Sequence, residues 1–365
     1  MTSTARALVL ETPRSLVPRE LPLPDIGDDD ALLRVEACGL CGTDHEQYTG
    51  HLPGPGPFVP GHETVGVIER IGPDAKRTWG IEEGDRVAVE VFRSCGTCAA
   101  CRAGSYQRCE QHGLRDMYGY VSVDVAPGLW GGYATHQYLA PDSLLHPVPA
   151  NLDPVMATLF NPLGAGVRWA VEVPGTGAGD VVAILGPGIR GISSLVAVRE
   201  AGAGFVVVTG AGPHDEPRLE AARAFGADLA VDVRAQDPVA SLREATGGLA
   251  DVVVDVTAKA PEALGQAMRL VRPGGTIVVA GTRGSDATPG FLPDMIVFKE
   301  VRILGALGVN GPAYRRALEI LAEGRYPFAD LPRLTAPLDQ AAGLLELMAG
   351  EGGAPPPVHA ALLPA

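Results

Sequence analysis

One segment narrows the possible folds more than any other. Val181–Leu185 (VVAIL) is an unbroken apolar run of strand length, and Gly186-Pro187-Gly188-Ile189-Arg190-Gly191 follows it directly, opening a helical stretch at Ile189–Glu200. A strand apolar on both faces belongs inside a parallel sheet with helices on either side. In that context G-x-G-x-x-G suits a dinucleotide. The first glycine permits a tight turn, the second lets the backbone approach a pyrophosphate, and the third lets helix and strand pack closely. The free N–H groups and positive dipole end of the helix favour the phosphates. Gly186, Gly188, Ile189, Arg190 and Gly191 are therefore candidate cofactor residues. An ordinary βα turn is the plainer alternative.

The surrounding rhythm agrees. From about Val155 onward, strand patterns (Phe205–Val208, Leu229–Val233, Asp251–Val256, Thr276–Ala280) alternate with helix patterns (Pro217–Phe225, Pro238–Thr246, Ala260–Leu270). That alternation predicts a doubly wound α/β sheet. The first 150 residues read differently. Ala5–Leu10, Ala31–Cys38, Glu63–Ile71 and Arg86–Glu90 look like short strands, helical periodicity is scarce, and a partly open β-barrel is expected. Two amphipathic helices are predicted near the end, at Ala313–Glu323 and Leu338–Met348.

A carboxylate usually ends the second strand of such a fold and binds the ribose hydroxyls of NAD. Here Thr209-Gly210-Ala211-Gly212 stands there, and Asp215 and Glu216 come too late in sequence to replace it. Gly210 thus opens space, while Arg190, His214 and Arg218 offer positive charge to a 2′-phosphate. NADP is favoured over NAD. The formal net charge of −14 argues against nucleic acid or an anionic membrane surface as partner. No apolar run is long enough to span a bilayer and no signal peptide is seen, so a cytoplasmic location is expected.

Six cysteines then require chemistry more than disulfides. Cys95-x2-Cys98-x2-Cys101-x7-Cys109 can converge on one tetrahedral Zn²⁺, and four thiolates leave no open position, so that metal would be structural. An iron–sulfur cluster is the rival. Elsewhere Cys41-Gly42-Thr43-Asp44 and Gly61-His62-Glu63 bring thiolate, hydroxyl, imidazole and carboxylate within about 20 residues. A catalytic zinc wants three protein ligands and an open position. Cys38 reads as a buried strand residue.

These motifs, with Gly131-Gly132-Tyr133-Ala134 and Asn161-Pro162-Leu163-Gly164, occur in an order and spacing that resembles the zinc-dependent medium-chain dehydrogenases/reductases of the alcohol, polyol and glucose dehydrogenase type. The resemblance implies a GroES-like β-barrel catalytic domain (1–160 and 307–365, with a structural-zinc lobe at about 93–112) and a Rossmann domain (161–306). It implies two zincs per chain, NADP or NAD, and a homo-oligomer, tetramer or dimer, with strands Thr276–Ala280 and Val301–Gly305 available to extend a sheet between subunits. Cys41, His62 and Glu63 fall on family metal positions. Asn161, 25 residues before Gly186, falls on the remaining one, where many relatives carry Cys, Glu or Asp. Thr43 fits the hydroxyl that binds the substrate oxygen. Glu46 stands where alcohol dehydrogenases often carry a relay His, so Glu46 or His45 would pass the proton to solvent. Substrate-pocket residues are expected around Tyr48, Phe92, Tyr118–Tyr120 and beyond Gly281. The implied reaction is alcohol–carbonyl interconversion by hydride transfer. A zinc-poor enone or quinone reductase and a non-enzymatic protein of the same fold are the alternatives.

Overall fold

The structure, a computed structural model, describes residues 4–212, 214–258, 260–283, 287–351, 353 and 355–364. In chain order, strands β1 (Thr4–Thr12), β2 (Ser15–Pro22) and β3 (Ala31–Gly39) precede helix α1 (Gly42–Thr49). Then come β4 (Glu63–Ile71), α2 (Pro73–Trp79), β5 (Arg86–Val89), α3 (Ala99–Arg102), β6 (His136–Leu139), β7 (Leu145–Pro147), α4 (Pro154–Ala157) and α5 (Phe160–Gly166). A second series follows: β8 (Val181–Leu185), α6 (Ile189–Glu200), β9 (Phe205–Gly210), α7 (Glu216–Ala224), β10 (Leu229–Asp232), α8 (Pro238–Thr246), β11 (Ala250–Asp255), α9 (Ala263–Leu270), β12 (Val271–Val279), α10 (Asp294–Lys299) and β13 (Arg302–Gly305). The last elements are α11 (Gly311–Glu323), β14 (Arg333–Pro337), α12 (Ala341–Met348) and β15 (His359–Leu363). The chain divides into two compact units, one of Met1–Asn161, Asn310–Gly324 and Phe328–Ala365, the other of Pro162–Val309 with Arg325–Pro327.

The second unit is built on a six-stranded sheet of order β10-β9-β8-β11-β12-β13 among the described residues. Every pairing in it is parallel. The strand order reverses between β8 and β11, the place where doubly wound sheets open a crevice for a ligand. Apolar strands bury on both faces, as the successive residues Val182, Ala183, Ile184 and Leu185 do. Local signals set the helices sharply: Asp237 caps α8 through Val239 N–H, Pro238 opens it, and Gly247 ends it in the left-handed conformation. β12 lies inside the sheet and only β13 is an edge, so of the two strands expected at a subunit interface one is unavailable.

The first unit carries a seven-stranded sheet in which six strands run in the order β14-β15-β3-β4-β5-β7 and the seventh, β6, pairs β3. β15, from the end of the chain, inserts between β14 and β3. The structure adds a helix where helical periodicity is scarce. α1 is eight residues of mostly polar sequence with no apolar stripe, so it left no pattern; its start is set instead by Cys41 and Asp44 as a reciprocal capping box.

His359 on β15 is fully enclosed. Arg333 Nε donates to its Nδ1 at 3.0 Å and Thr158 Oγ1 lies 3.0 Å from its Nε2, which defines a neutral ring with the proton on Nε2. Burial, reinforced by the Arg333 charge, pushes its pKa down to about 3. A base depressed in the folded state takes up its proton on unfolding. Its stabilising contribution is therefore present above pH 6.5 and is lost as pH falls toward 3, at about 1.4 kcal/mol per pH unit. The His359→Gln variant is expected to lose stability at pH 7 but to show about 2 kcal/mol less acid destabilisation between pH 7 and 4.5, read by denaturant unfolding. An unchanged acid profile would count against this account.

Candidate active site and cofactor groove

Antiparallel pairing of β3 with β4 sets Gly39 opposite Glu63. Cys41, just past β3, and His62, just before β4, therefore meet. Ligand atoms of Cys41, His62 and Glu63 all lie within 4.8 Å of one another. Gly39 makes the space: a Cβ there would stand 2.5 Å from Glu63 Oε2. Asp44, 1% exposed, closes the back of the cluster. Its Oδ2 accepts from Cys41 N–H at 2.7 Å, and its Oδ1 makes an ion-pair contact with His62 Nδ1 at 3.3 Å that is not an aligned hydrogen bond. Burial alone would depress the His62 imidazolium, but the Asp44 carboxylate outweighs it and holds the pKa well above the ordinary value. With Nδ1 on Asp44, Nε2 is left for a metal, as usual for ligand histidines. A half-buried thiol beside a buried imidazole and carboxylate is a donor set that Zn²⁺ would balance. Asp44 escaped the sequence reading because its role appears only once α1 folds.

Around this cluster, Thr43 is half-buried on the first turn of α1, with its hydroxyl 3.8 Å from the Cys41 sulfur. His45 is buried and its Nε2 sits 2.7 Å from Glu351 Oε1. Arg14, and next His45, hold the Glu351 carboxyl down at about 2. Glu46, on the same helix, is half-buried. Asn161, 2% exposed, is the second residue of α5; its Nδ2 donates to the Tyr314 hydroxyl at 3.2 Å.

The expected pocket aromatics are corrected. Tyr48, Phe92 and Tyr118 belong to hydrophobic clusters and spend their polar atoms internally: Tyr48 donates to Glu346, and Tyr118 pairs with Ser143 at 2.6 Å. Tyr120 bonds the Pro53 carbonyl. Part of the stretch beyond Gly281, residues 284–286, lies outside the described residues.

The four-cysteine lobe also closes. Sγ atoms of Cys95, Cys98, Cys101 and Cys109 lie within 4.8 Å of one another, and none of the six cysteines is disulfide-bonded. Cys95 and Cys101 sulfurs are 3.7 Å apart, close to the edge of about 3.8 Å of a tetrahedron with Zn–S bonds of 2.3 Å. Hydrogen bonds from Thr97 Oγ1 and Cys98 N–H lower the Cys95 thiol to about 5. Burial raises Cys101 to about 11. Thiols so disposed fit one cation that completes their ionisation. Cys38 is fully buried in β3, and burial raises its thiol.

In the second unit a groove of about 980 Å³ opens at the carboxyl ends of the strands. Gly186, Gly188 and Gly210 line it, as does Arg218. Ile189, Arg190 and Gly191 do not. Arg190 instead stacks over Trp169, 5.2 Å from its ring centre. Gly191 serves packing, since a Cβ there would fall 1.9 Å from the Gly186 carbonyl oxygen. A Cβ on Gly188 would meet no protein atom within 4 Å, as a position facing a ligand requires. Asp215 also lines the groove, against expectation. The chain doubles back after Gly212, so Asp215 Oδ2 accepts from Ala211 N–H at 2.8 Å while Oδ1 pairs with Arg218 at 3.3 Å. Arg234 and Arg269, missed in the sequence, line the groove too.

A doubly wound nucleotide unit and a β-rich unit with two metal-type clusters define a two-domain dehydrogenase. The alcohol dehydrogenase GroES-like domain model matches residues 27–150, and the zinc-binding dehydrogenase model matches residues 191–323. A Mycobacterium tuberculosis protein named "Probable alcohol dehydrogenase" is 64% identical over 363 residues, 99% of each chain. Sorbitol dehydrogenase of Bacillus subtilis is 31% identical, covering 87% of this chain and 86% of its own. A zinc-binding dehydrogenase of Sinorhizobium meliloti, solved bound to NADP, superposes with TM-score 0.84 at 29% identity, over 99% of this chain and 100% of that one. The chain belongs to the zinc-binding alcohol dehydrogenase family of medium-chain dehydrogenases/reductases. It is an oxidoreductase that interconverts an alcohol and its carbonyl with NAD(P).

The two glycines of the turn separate by experiment. Gly188→Ala is expected to fold normally and to raise the KM for the nicotinamide cofactor about tenfold or more, whereas Gly191→Ala is expected to lower the melting temperature. Equal melting temperatures for the two variants would refute the division of roles.

Proposed function

We propose that the chain is a two-zinc, NADP-preferring dehydrogenase of polyols or secondary alcohols. The cluster of Cys41, His62 and Glu63 at the start of a helix bearing Thr43 carries this reading. Cys41, His62 and Asn161 would hold the catalytic zinc, with Glu63 completing the coordination when no substrate is bound. Cys95, Cys98, Cys101 and Cys109 would hold the structural one. Bound zinc would supply a Lewis acid at the substrate oxygen, and nicotinamide the hydride acceptor. Thr43 would take the proton from the substrate hydroxyl. His45, against Glu351 on the far side of the same helix, or the half-buried Glu46, would pass it to solvent. Asp44 would hold His62 in the tautomer a metal needs.

Three features support NADP. Gly210 replaces the ribose carboxylate, Asp215 is offset by Arg218, and Arg234 and Arg269 add positive charge to the groove. The Sinorhizobium meliloti relative was solved with NADP. Bacillus subtilis sorbitol dehydrogenase supports a polyol substrate. Among the described residues no helix is long and apolar enough to cross a membrane, and cysteines that form no disulfide suit the reducing cytoplasm, where we place the chain. The open edge of β13, near the exposed Val297 and Phe298, supports a homo-oligomer.

Metal analysis is expected to find two zincs per chain and one in Cys101→Ser. Turnover of a polyol and secondary-alcohol panel should be faster with NADP than with NAD. One zinc in the native chain, or a preference for NAD, would contradict those parts of the reading. Sedimentation is expected to give a dimer or tetramer; a monomer at micromolar concentration would remove the oligomer.

A further inference from the structure

Asn161 is an unusual donor because only one branch of its carboxamide can serve a metal. The oxygen has lone pairs, whereas the NH2 nitrogen has none to give. A half-turn about the last side-chain bond would exchange the two, so something has to choose between them. In this structure Nδ2 donates to the Tyr314 hydroxyl at 3.2 Å, which places the carbonyl oxygen on the other branch.

Tyr314 is itself held on two sides. It is 1% exposed, near the start of α11, with its ring 5.1 Å from Phe160 and 5.6 Å from His146. His146 is in turn fixed through Nε2 to Glu90 Oε1 at 2.7 Å, and Glu90 Oε2 accepts from the Tyr106 hydroxyl at 2.5 Å. All three of these side chains are buried. Gly311, one turn before Tyr314, packs against the same cluster: a Cβ there would lie 3.4 Å from Glu90 Oε1, an ordinary contact distance. Breaking such a buried, hydrogen-bonded cluster is costly, so the ring has little freedom to move.

We infer that Tyr314 is the positioning residue of the metal site, orienting the Asn161 carboxamide so that its oxygen is the atom offered to the cation. This rests on the assignment of Asn161 as a ligand. Tyr314 touches neither substrate nor metal in this role, and acts through Asn161. A phenol hydroxyl can donate as well as accept, so Tyr314 fixes the carboxamide through the bond it accepts from Nδ2; a carboxylate at position 161 has no N–H to place and presents oxygen on either branch.

The test is metal affinity, measured by competition between the purified full chain and a chromophoric chelator, with the absorption spectrum of the Co²⁺-substituted protein as a second readout. The zinc of the four-cysteine lobe serves as an internal check that each variant is folded. Tyr314→Phe keeps the ring and removes the hydroxyl. It is expected to weaken binding at the Cys41 site about tenfold and to shift the Co²⁺ spectrum, within the usual cost of losing a group that orients a ligand. Asn161→Ala should weaken binding at least as much. In an Asn161→Asp background, Tyr314→Phe should cost less than about threefold. If Asn161→Ala binds metal as the native chain does, the ligand assignment fails and the inference with it. If Asn161→Ala weakens binding but Tyr314→Phe does not, or costs as much in the Asn161→Asp background, the ligand assignment stands and the orienting role of Tyr314 is overturned.

Discussion

The catalytic cluster depends on one backbone pairing, that of Gly39 with Glu63 across β3 and β4. Antiparallel strands place the end of one beside the start of the next. Cys41 and His62 are thereby brought together although 21 positions apart in sequence. Everything added afterwards refines that meeting. Gly39 leaves room for the Glu63 carboxylate, and Asp44 ties Cys41 N–H to one oxygen and His62 to the other. A one-residue slip of register would turn these side chains to the opposite face.

Around that pairing the first unit buries several ionisable groups against partners. Glu90 lies between His146 and Tyr106, and Arg333 faces a neutral His359. Burying such groups is unfavourable unless every partner is present, and that makes the arrangement specific. The same logic explains the two metal-type clusters. Thiols and a carboxylate packed this closely call for a cation, whereas the groove calls for a ligand of another kind. In the second unit the buried strands are nearly all apolar, although Asp255 is buried at the end of β11 against Arg283, and Asp215, Arg218, Arg234 and Arg269 line the groove.

Legibility followed the range of the interaction. β8, α6 and α8 lie where strand and helix patterns put them, because apolar runs, glycine turns, Asp caps and Pro at the first helical position act within a few residues. The cysteine spacings showed the lobe for the same reason. α1 was invisible because a short polar helix held by one capping box has no periodicity. Tyr48, Phe92 and Tyr118 misled because an aromatic near a motif is as easily core as pocket; their neighbours come from distant parts of the chain.

Spacing along the chain pointed to the dinucleotide turn and to the two cysteine-containing clusters, and the resemblance those motifs carry pointed to the two-unit architecture, since short-range geometry and residue chemistry set the motifs. Folding in three dimensions decided the rest. It brought Asp215 back to the tip of β9, sent Arg190 to Trp169, put Asp44 behind His62, and turned the Asn161 amide nitrogen toward Tyr314. Each of those outcomes depends on contacts between segments that only packing brings together, and hydrogen bonds and ion pairs choose partners by distance in space and not by distance in sequence.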